Sequence, residues 1–395
     1  MSSRQRSIRI LLVCFALFST AVTFGNIFIN IYIWKEGQDL TDVALYNLSF
    51  YGMSLVSTLA GNYLIRIMHS RMVFIAASTL VMFTFIFLPL VTADWGSSVI
   101  VGGIFGMAVG LFYIGFNLYT LVLTNETTRT YILSMEEVLG RLTGLLVPVL
   151  SSMLLEYIGY FSTFSLLTLI MFLFVLASFL TPKYKSAFSL HSIEANLWRK
   201  YQPILVSLVA FGFMNGVMVV ASSVLVFSRI SSEMFIGLLN TLLAFLGIVS
   251  AYYLGQKLPR KGPKRFVQIG TFLCVLASVF LFFDQLIFLL IFNVLIVIGL
   301  PLLWIPVNVT HFQKMKELAC PTKQQCDLSK LMAYLFIREL FLTIGRVIFF
   351  CLLVFTPLFQ ETDSSQYFLL IVILLLPILI LKGNLVLIKN QKSTP

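Results

Sequence analysis

Long apolar runs recur along the whole 395-residue chain, and they limit its possible folds more than any other feature. In an α-helix, about 20 apolar residues span the roughly 30 Å hydrocarbon core of a bilayer. Only 11% of the residues are charged, whereas a soluble domain carries about 25%. The chain is therefore predicted to be an all-α polytopic membrane protein with twelve transmembrane helices, at residues 9–33, 43–66, 72–92, 97–122, 131–157, 160–181, 203–227, 233–257, 266–284, 286–312, 329–356 and 366–388.

The basic residues predict how the chain crosses the membrane. Of the 27 Lys and Arg residues, Lys35 and Arg229 fall on one side and Arg141, Arg338 and Arg346 fall within predicted spans. All the others fall on the side of the two termini, which the positive-inside rule assigns to the cytoplasm. We expect a multi-pass protein of the plasma (cell) membrane with both termini cytoplasmic and its first apolar run retained as a span. The net charge of +11 then faces anionic lipid, and no nucleic acid partner is implied.

One connection is much longer than the others and divides the spans six and six. It runs from Pro182 to Pro203 and lies on the predicted cytoplasmic side. We therefore predict three regions: an N-terminal six-helix bundle at 1–181, a cytoplasmic linker at 182–203 and a C-terminal six-helix bundle at 204–395.

The two halves contain echoes of each other. With an offset of 194 residues, the stretch GNYLIRIMHSR aligns with GQKLPRKGPKR, so that Gly61, Arg66 and Arg71 match the residues Gly255, Arg260 and Arg265. A second echo lies in predicted spans four and ten, as YIGFN and WIPVN. Because each half would have the same sidedness, this pattern predicts a parallel repeat about an axis along the membrane normal.

These features resemble the major facilitator superfamily. Its loop signature, Gly-x-x-x-Asp-Arg-x-Gly-x-Arg/Lys-Arg, is matched from Gly255 to Arg265 by the residues Gly255, Arg260, Gly262, Lys264 and Arg265. The copy that begins at Gly61 is weaker. The resemblance implies two pseudo-symmetric six-helix bundles and small-molecule transport by alternating access. In the family the signature acid belongs to a cytoplasmic charge latch, and Ile65 and Pro259 stand in its place here.

Charged residues inside predicted spans are costly in a bilayer and are functional candidates by default. Span five carries Glu136, Glu137 and Arg141, and span eleven carries Arg338, Glu339 and Arg346. Glu137 and Arg141 are four residues apart, and Glu339 and Arg346 are two turns apart, so each pair shares a helix face. We predict gating or proton coupling through these six residues. The alternative is a set of structural ion pairs near the cytoplasmic surface.

Span five also carries Gly140, Gly144 and Pro148 at intervals of four. Small residues on one face allow close helix packing, and a proline can kink the helix. Exporters of the superfamily resemble this pattern, so export is the leading hypothesis and uptake is the alternative.

Uncharged polar residues within the spans supply candidates for the wall of a substrate cavity. An amide in a span faces either a wet cavity or a neighbouring helix, and both readings stay open. These candidates are Asn26, Asn30, Tyr46, Asn47, Tyr113, Asn117, Asn215, Trp304 and Asn308.

Motifs of enzymes and metalloproteins are absent from the sequence. No Gly-x-x-x-x-Gly-Lys loop indicates an ATP motor, and Cys320, Cys326 and His311 do not have a usual zinc spacing. We predict no enzyme activity, no cofactor and no metal. The leading hypothesis is a monomeric, proton-coupled secondary transporter that exports a small molecule. The alternatives are uptake or facilitated transport of an anionic nutrient, and a non-transporting membrane protein of the same fold.

Overall fold

A computed structural model describes residues 3–90, 95–123, 126–185, 197–261, 263–283, 285–319, 328–355 and 370–382. Throughout these ranges the regular secondary structure is helical and no β-strand occurs. The all-α prediction is thereby confirmed.

Helix covers the greater part of each of the twelve apolar segments. The helices of the first half are α1 Ser3–Phe24, α2 Asn30–Gly37, α3 Leu40–Ile67, α4 Ser70–Phe87, α5 Trp95–Val122 and α6 Glu126–Phe179. Those of the second half are α7 Leu197–Val219, α8 Leu225–Ile230, α9 Glu233–Lys261, α10 Pro263–Phe280, α11 Leu286–Ala319, α12 Leu328–Phe355 and α13 Leu370–Lys382.

Within the described residues, eight helical stretches are long and apolar enough to cross a membrane. One of them, Val138–Phe179, covers most of two predicted spans in 42 residues. Gly159 divides it, because its backbone has φ 78° and ψ 174°, a conformation that is open to glycine and strained for other residues. The twelve-helix count itself stays a prediction.

The chain folds into two compact units, and each unit is built from two separate stretches of the chain. The first unit comprises Met1–Ala187 with Ile230–Thr241, and the second comprises Phe188–Arg229 with Leu242–Pro395. The start of α9 thus packs with the first unit, where Thr241 Oγ1 donates to the carbonyl oxygen of Leu145 at 3.0 Å.

In the first unit, glycines bring the backbones of α3 and α5 together. Three of them follow one face of α5 at intervals of four, and a Cβ on any of them would overlap a carbonyl oxygen of α3. The opposed positions are Gly102 with Tyr46, Gly106 with Phe50, and Gly110 with Ser54. Such small-residue faces allow close packing of membrane helices.

In the second unit, α7 and α12 approach each other in the same way. A Cβ on Gly212 would overlap the carbonyl oxygen of Leu342, and one on Gly345 would overlap that of Val209. The small-residue face predicted for span five behaves differently. A Cβ on Gly140 or Gly144 would meet no atom within 4 Å, so these glycines make no close helix contact.

A π-helical turn interrupts the first helical span of each unit. Gly25–Ile29 joins α1 to α2, and Val220–Val224 joins α7 to α8, which agrees with the 194-residue repeat to within one residue. A π turn widens the helix and leaves carbonyl groups to be satisfied by other donors. In both turns the second carbonyl accepts from an asparagine amide, Asn26 O from Asn30 at 3.0 Å and Ala221 O from Asn293 at 3.3 Å.

Candidate functional site

The charged residues of α12 form the centre of the candidate site in the second unit. Arg338 makes an ion pair with the neighbouring Glu339. The Arg338 side chain is only 15% exposed, while that of Glu339 is 51% exposed. A guanidinium that is buried this far is stable only beside negative charge or other good acceptors. Glu339 supplies that charge and still has open space on its other side.

Aromatic rings support the same arginine. The Arg338 guanidinium carbon lies 5.3 Å from the ring centre of Trp304 on α11. Trp304 in turn stacks on Phe211 of α7, with centroids 3.7 Å apart and planes inclined by 12°. Arginine over an indole face gains a cation–π interaction. The guanidinium of α12 therefore lies over a ring of α11 that is itself stacked on α7, with Glu339 beside it.

Arg346 places a second cation on the same helix. It is half-buried and lies two turns beyond Arg338, about 12 Å along the axis. We expected Glu339 to pair with Arg346, whereas the ion pair found for Glu339 is with Arg338. Two arginines and one carboxylate leave this part of α12 with an excess of positive charge.

The matching residues of the first unit lie on α6. Glu136 and Arg141 are half-buried there, and the side chain of Glu137 lies outside the described residues. Close by, the hydroxyls of Ser19 and Thr143 are 2.7 Å apart and link α1 to α6. Each unit thus carries acidic and basic residues on one helix, and a role for them in gating or proton coupling stays a prediction.

The structure separates the polar residues of the first unit into two groups. Asn30 and Asn47 are buried and bonded to each other, with Asn47 Nδ2 donating to Asn30 Oδ1 at 2.5 Å, and Tyr46 is buried as well. The Asn30–Asn47 hydrogen bond links α2 to α3. By contrast, Asn26 and Asn117 are exposed. A polar side chain exposed within a membrane span is costly in hydrocarbon, so these two remain candidates for the wall of a wet cavity.

The paired echoes YIGFN and WIPVN occupy similar places in their own units. Tyr113 is 39% exposed and meets Phe18 of α1 edge-on at 5.6 Å. Trp304 meets the first helix of its own unit through Phe211. Asn215 is half-buried, and the side chain of Asn308 lies outside the described residues.

The first copy of the loop signature contributes to packing. Gly61 is buried, and a Cβ there would lie 2.7 Å from Ile114, whereas Arg66 is exposed. In the second copy Lys264 and Arg265 are exposed. Only the helical backbone is described for Gly255 and Arg260, and Gly262 lies outside the described residues.

Arg71 pairs with a backbone carbonyl group, and no signature acid is present to pair with it. Its Nε donates to the carbonyl oxygen of Thr181, just past the end of α6. A cation at a helix C-terminus is favoured by the helix dipole. The next residues are also held, because Ser70 N donates to Tyr184 O at 2.9 Å and Tyr119 OH donates to Pro182 O at 2.7 Å. Arg71 thus helps fix the start of the central linker.

One cluster of polar residues was not predicted from the sequence. Lys35, Tyr160 and Glu233 meet at the ends of α2 and α9 and at the break in α6. The signal available was that Lys35 and Arg229 are the two cations on the predicted extracellular side. In the part of the chain that the structure describes, no group of His, Cys, Asp and Glu could hold a metal ion. Cys320 and Cys326 lie outside that part.

Comparisons with known proteins agree with this architecture. The sequence profile of the Major Facilitator Superfamily matches residues 11–319. An uncharacterized protein of Bacillus subtilis (strain 168), YqgE, is 25% identical over 374 residues, covering 90% of this chain and 84% of its own. An uncharacterized protein in the sodM 3′ region of Geobacillus stearothermophilus is 27% identical over 146 residues, or 37% of this chain and 68% of its own.

Solved structures show the same fold at low identity. A POT family transporter in complex with 5-aminolevulinic acid has a TM-score of 0.71 at 14% identity, covering 99% of this chain and 97% of its own. The nucleoside transporter NupG has a TM-score of 0.66 at 12% identity and covers all of both chains. The family predicted from the degenerate loop signature is confirmed, and membrane transport rather than enzyme activity is what the family indicates. The chain belongs to the major facilitator superfamily of membrane transporters.

Proposed function

We propose that this protein is a secondary transporter that couples the movement of a small organic anion to that of a proton, by alternating access. The observation that carries the proposal is the arrangement of Arg338 between Glu339 and Trp304, with Arg346 farther along the same helix. Arginine binds carboxylates through a planar fork of donors. The rings of Trp304 and Phe211 offer an apolar surface beside that fork.

Proton coupling follows from the ion pair. While Glu339 is ionised it occupies Arg338, and an anion has to compete with it. Protonation of Glu339 removes the negative charge and frees the guanidinium for the substrate. Binding of the proton and of the anion then favour each other, as linkage requires. This coupling favours movement of both in the same direction.

The arrangement supports uptake better than export. In an exporter driven by protons, substrate and proton exclude each other from the site, whereas here they would bind together. The sequence hypothesis of export rested on a resemblance to the Gly-rich, Pro-containing fifth span of exporters, and the open space at Gly140 and Gly144 adds no support to it. We therefore put proton-coupled uptake first, and export is an outcome that flux measurements would reveal.

A ligand screen on purified protein tests the anion class. Carboxylates of graded apolar content are compared with their uncharged amides by thermal unfolding. We expect some of the carboxylates, but none of the amides, to raise the unfolding temperature. Stabilisation by amides alone would contradict an anionic substrate. Absence of any ligand-dependent shift or flux would favour a protein of this fold that does not transport.

Proteoliposomes with an imposed pH gradient test the coupling. The wild type should accumulate the best carboxylate when the outside is acidic. Glu339→Gln should still exchange the substrate across the membrane but should not accumulate it. Glu156→Gln, which removes an exposed carboxylate of α6, serves as the matched control and should behave as the wild type. Wild-type flux that ignores the pH gradient, or accumulation by Glu339→Gln, would refute coupling through Glu339.

A further inference from the structure

A lateral groove lies in the second unit, and its α12 wall runs from Phe341, one turn beyond Arg338, to Leu352. Its walls are α7, α12 and α13, and it encloses about 680 Å³. Large apolar side chains from all three helices line it and are also open to the outside. Val206 is 44% exposed, Ile348 is 41% exposed and Leu379 is 42% exposed. The groove therefore opens sideways from the helices that form it.

The lining residues of α7 run along one face of that helix. They extend from Gln202 through Val206 and Ala210 to Phe213, a rise of about 16 Å. One leaflet of a bilayer has a hydrocarbon thickness of about 15 Å. The groove is thus about as long, along the axis of α7, as one leaflet is deep, and it begins at the predicted cytoplasmic end of α7.

Water is an unsuitable occupant. A buried water molecule needs two to four polar partners, and among the described residues that line the groove Gln202 alone has a polar side chain. An empty groove would forfeit dispersion contacts along three helices. In a membrane protein, a flexible hydrocarbon chain satisfies this shape and this chemistry.

The cytoplasmic end of the groove is polar and basic. Gln202 is exposed there, and Lys382 is an exposed cation one turn beyond Leu379 on α13. The sequence also places Arg199 and Lys200 in the turn of α7 that precedes Gln202. Cations at this level attract the acidic headgroups of the cytoplasmic leaflet, and an amide and an ammonium can both donate to a phosphate oxygen.

We propose that this groove is a binding site for an acidic phospholipid of the cytoplasmic leaflet. One acyl chain lies along α7 between Gln202 and Phe213, and the phosphate meets Gln202 and Lys382. The proposal is independent of the substrate and of the direction of transport.

Two matched substitutions test the acyl-chain site. Val206→Trp fills the groove, while Val279→Trp puts the same side chain on a valine of α10 that is 40% exposed and does not line the groove. Full-length proteins are reconstituted in bilayers of equal phosphatidylglycerol and phosphatidylcholine and extracted into mild detergent. Native mass spectrometry then counts the lipids retained. We expect one retained phospholipid in the wild type and in Val279→Trp, with occupancy at least about tenfold lower in Val206→Trp.

Equal retention by Val206→Trp and Val279→Trp would overturn the proposal, as would a wild type that retains no lipid. Leu379→Trp fills the groove from α13, so it replaces Val206→Trp in the test if Val206→Trp fails to fold. Transport should be alike in Val206→Trp and Val279→Trp. A Val206→Trp protein that keeps its lipid and loses transport would show that the groove holds substrate, which also overturns the lipid site.

A second pair of variants tests the headgroup. Lys382→Gln should retain phosphatidylglycerol and phosphatidylcholine equally, while Lys264→Gln, which removes an exposed cation of α10, should keep the preference for phosphatidylglycerol. If Lys382→Gln still retains phosphatidylglycerol in preference to phosphatidylcholine, this lysine does not recognise the acidic headgroup.

Discussion

The ammonium nitrogen of Lys35 lies 2.9 Å from Oε1 of Glu233, 198 residues later in the chain. The hydroxyl of Tyr160 is 3.2 Å from the same oxygen, and the ammonium lies 5.1 Å from the centre of the Tyr160 ring. Predicted spans one, six and eight are thus joined on the side opposite the basic loops. The Glu233 side chain is 14% exposed and that of Lys35 is 49% exposed. We call these three residues the outer clasp.

Reversing one charge of the outer clasp should destabilise the protein. Lys35→Glu brings two carboxylates together, and Glu233→Lys brings two cations together. Partly exposed ion pairs contribute up to about 1 kcal/mol, so each single variant should unfold a few degrees below the wild type. The double variant restores opposite charges and should recover most of the loss. Thermal unfolding in detergent measures all four proteins.

The control for the outer clasp is Glu36→Lys, which changes an exposed acid next to Lys35 in sequence. It should shift the unfolding temperature less than Lys35→Glu does. If the effects of the two clasp reversals simply add in the double variant, the ion pair makes no contribution of its own.

A glycine-to-alanine pair should separate close helix contact from open space. In Gly106→Ala, the new Cβ overlaps the carbonyl oxygen of Phe50, so α5 must move away from α3. Overpacking of this kind costs about 1–3 kcal/mol. Gly144→Ala adds the same atom where nothing lies within 4 Å, and the better helix propensity of alanine should stabilise by up to about 1 kcal/mol. Unfolding temperatures that fall equally in both variants would contradict the packing described for α5.

The sequence was sufficient for the fold class and the family, because the length and recurrence of apolar runs can be read along the chain. It was insufficient for helix rotation, which depends on three-dimensional packing. Asn26 and Asn30 lie one turn apart, yet one is exposed and the other is buried against α3. The repeat aligns Lys35 with Arg229 and Asp39 with Glu233, but no alignment of equivalent positions predicts that Lys35 pairs with Glu233.

Asparagines of the first unit should divide into a structural and a functional class. Asn47→Ala removes the donor to Asn30 Oδ1 from a buried site. Hydrogen bonds between membrane helices contribute about 0.6 kcal/mol on average and up to about 1.7 kcal/mol, so the unfolding temperature should fall. Asn26→Ala removes an exposed amide and should leave stability within about 0.5 kcal/mol, while it lowers the rate of transport. A stable Asn47→Ala protein would show that this contact does not hold α2 to α3.

The guanidinium plane of Arg338 should matter as well as its charge. Arg338→Lys keeps a cation but lacks the flat group that lies over Trp304. A cation–π interaction contributes about 0.5–2 kcal/mol, so affinity for a carboxylate should fall about 2- to 30-fold. Trp304→Leu should cause a similar loss, and Trp304→Phe a smaller one.

A double-mutant cycle distinguishes the stacked pair from two independent residues. In the protein that carries both Arg338→Lys and Trp304→Leu, the loss should be smaller than the sum of the single losses, because the interaction is removed once. Arg346→Lys gives the comparison for charge alone, since it retains the cation two turns away. If Arg338→Lys binds the carboxylate as well as Arg346→Lys does and the cycle shows simple addition, α12 recognises only charge. If the two substitutions instead show a coupling energy, Trp304 and Phe211 orient Arg338 when it exchanges its ion pair with Glu339 for one with the substrate.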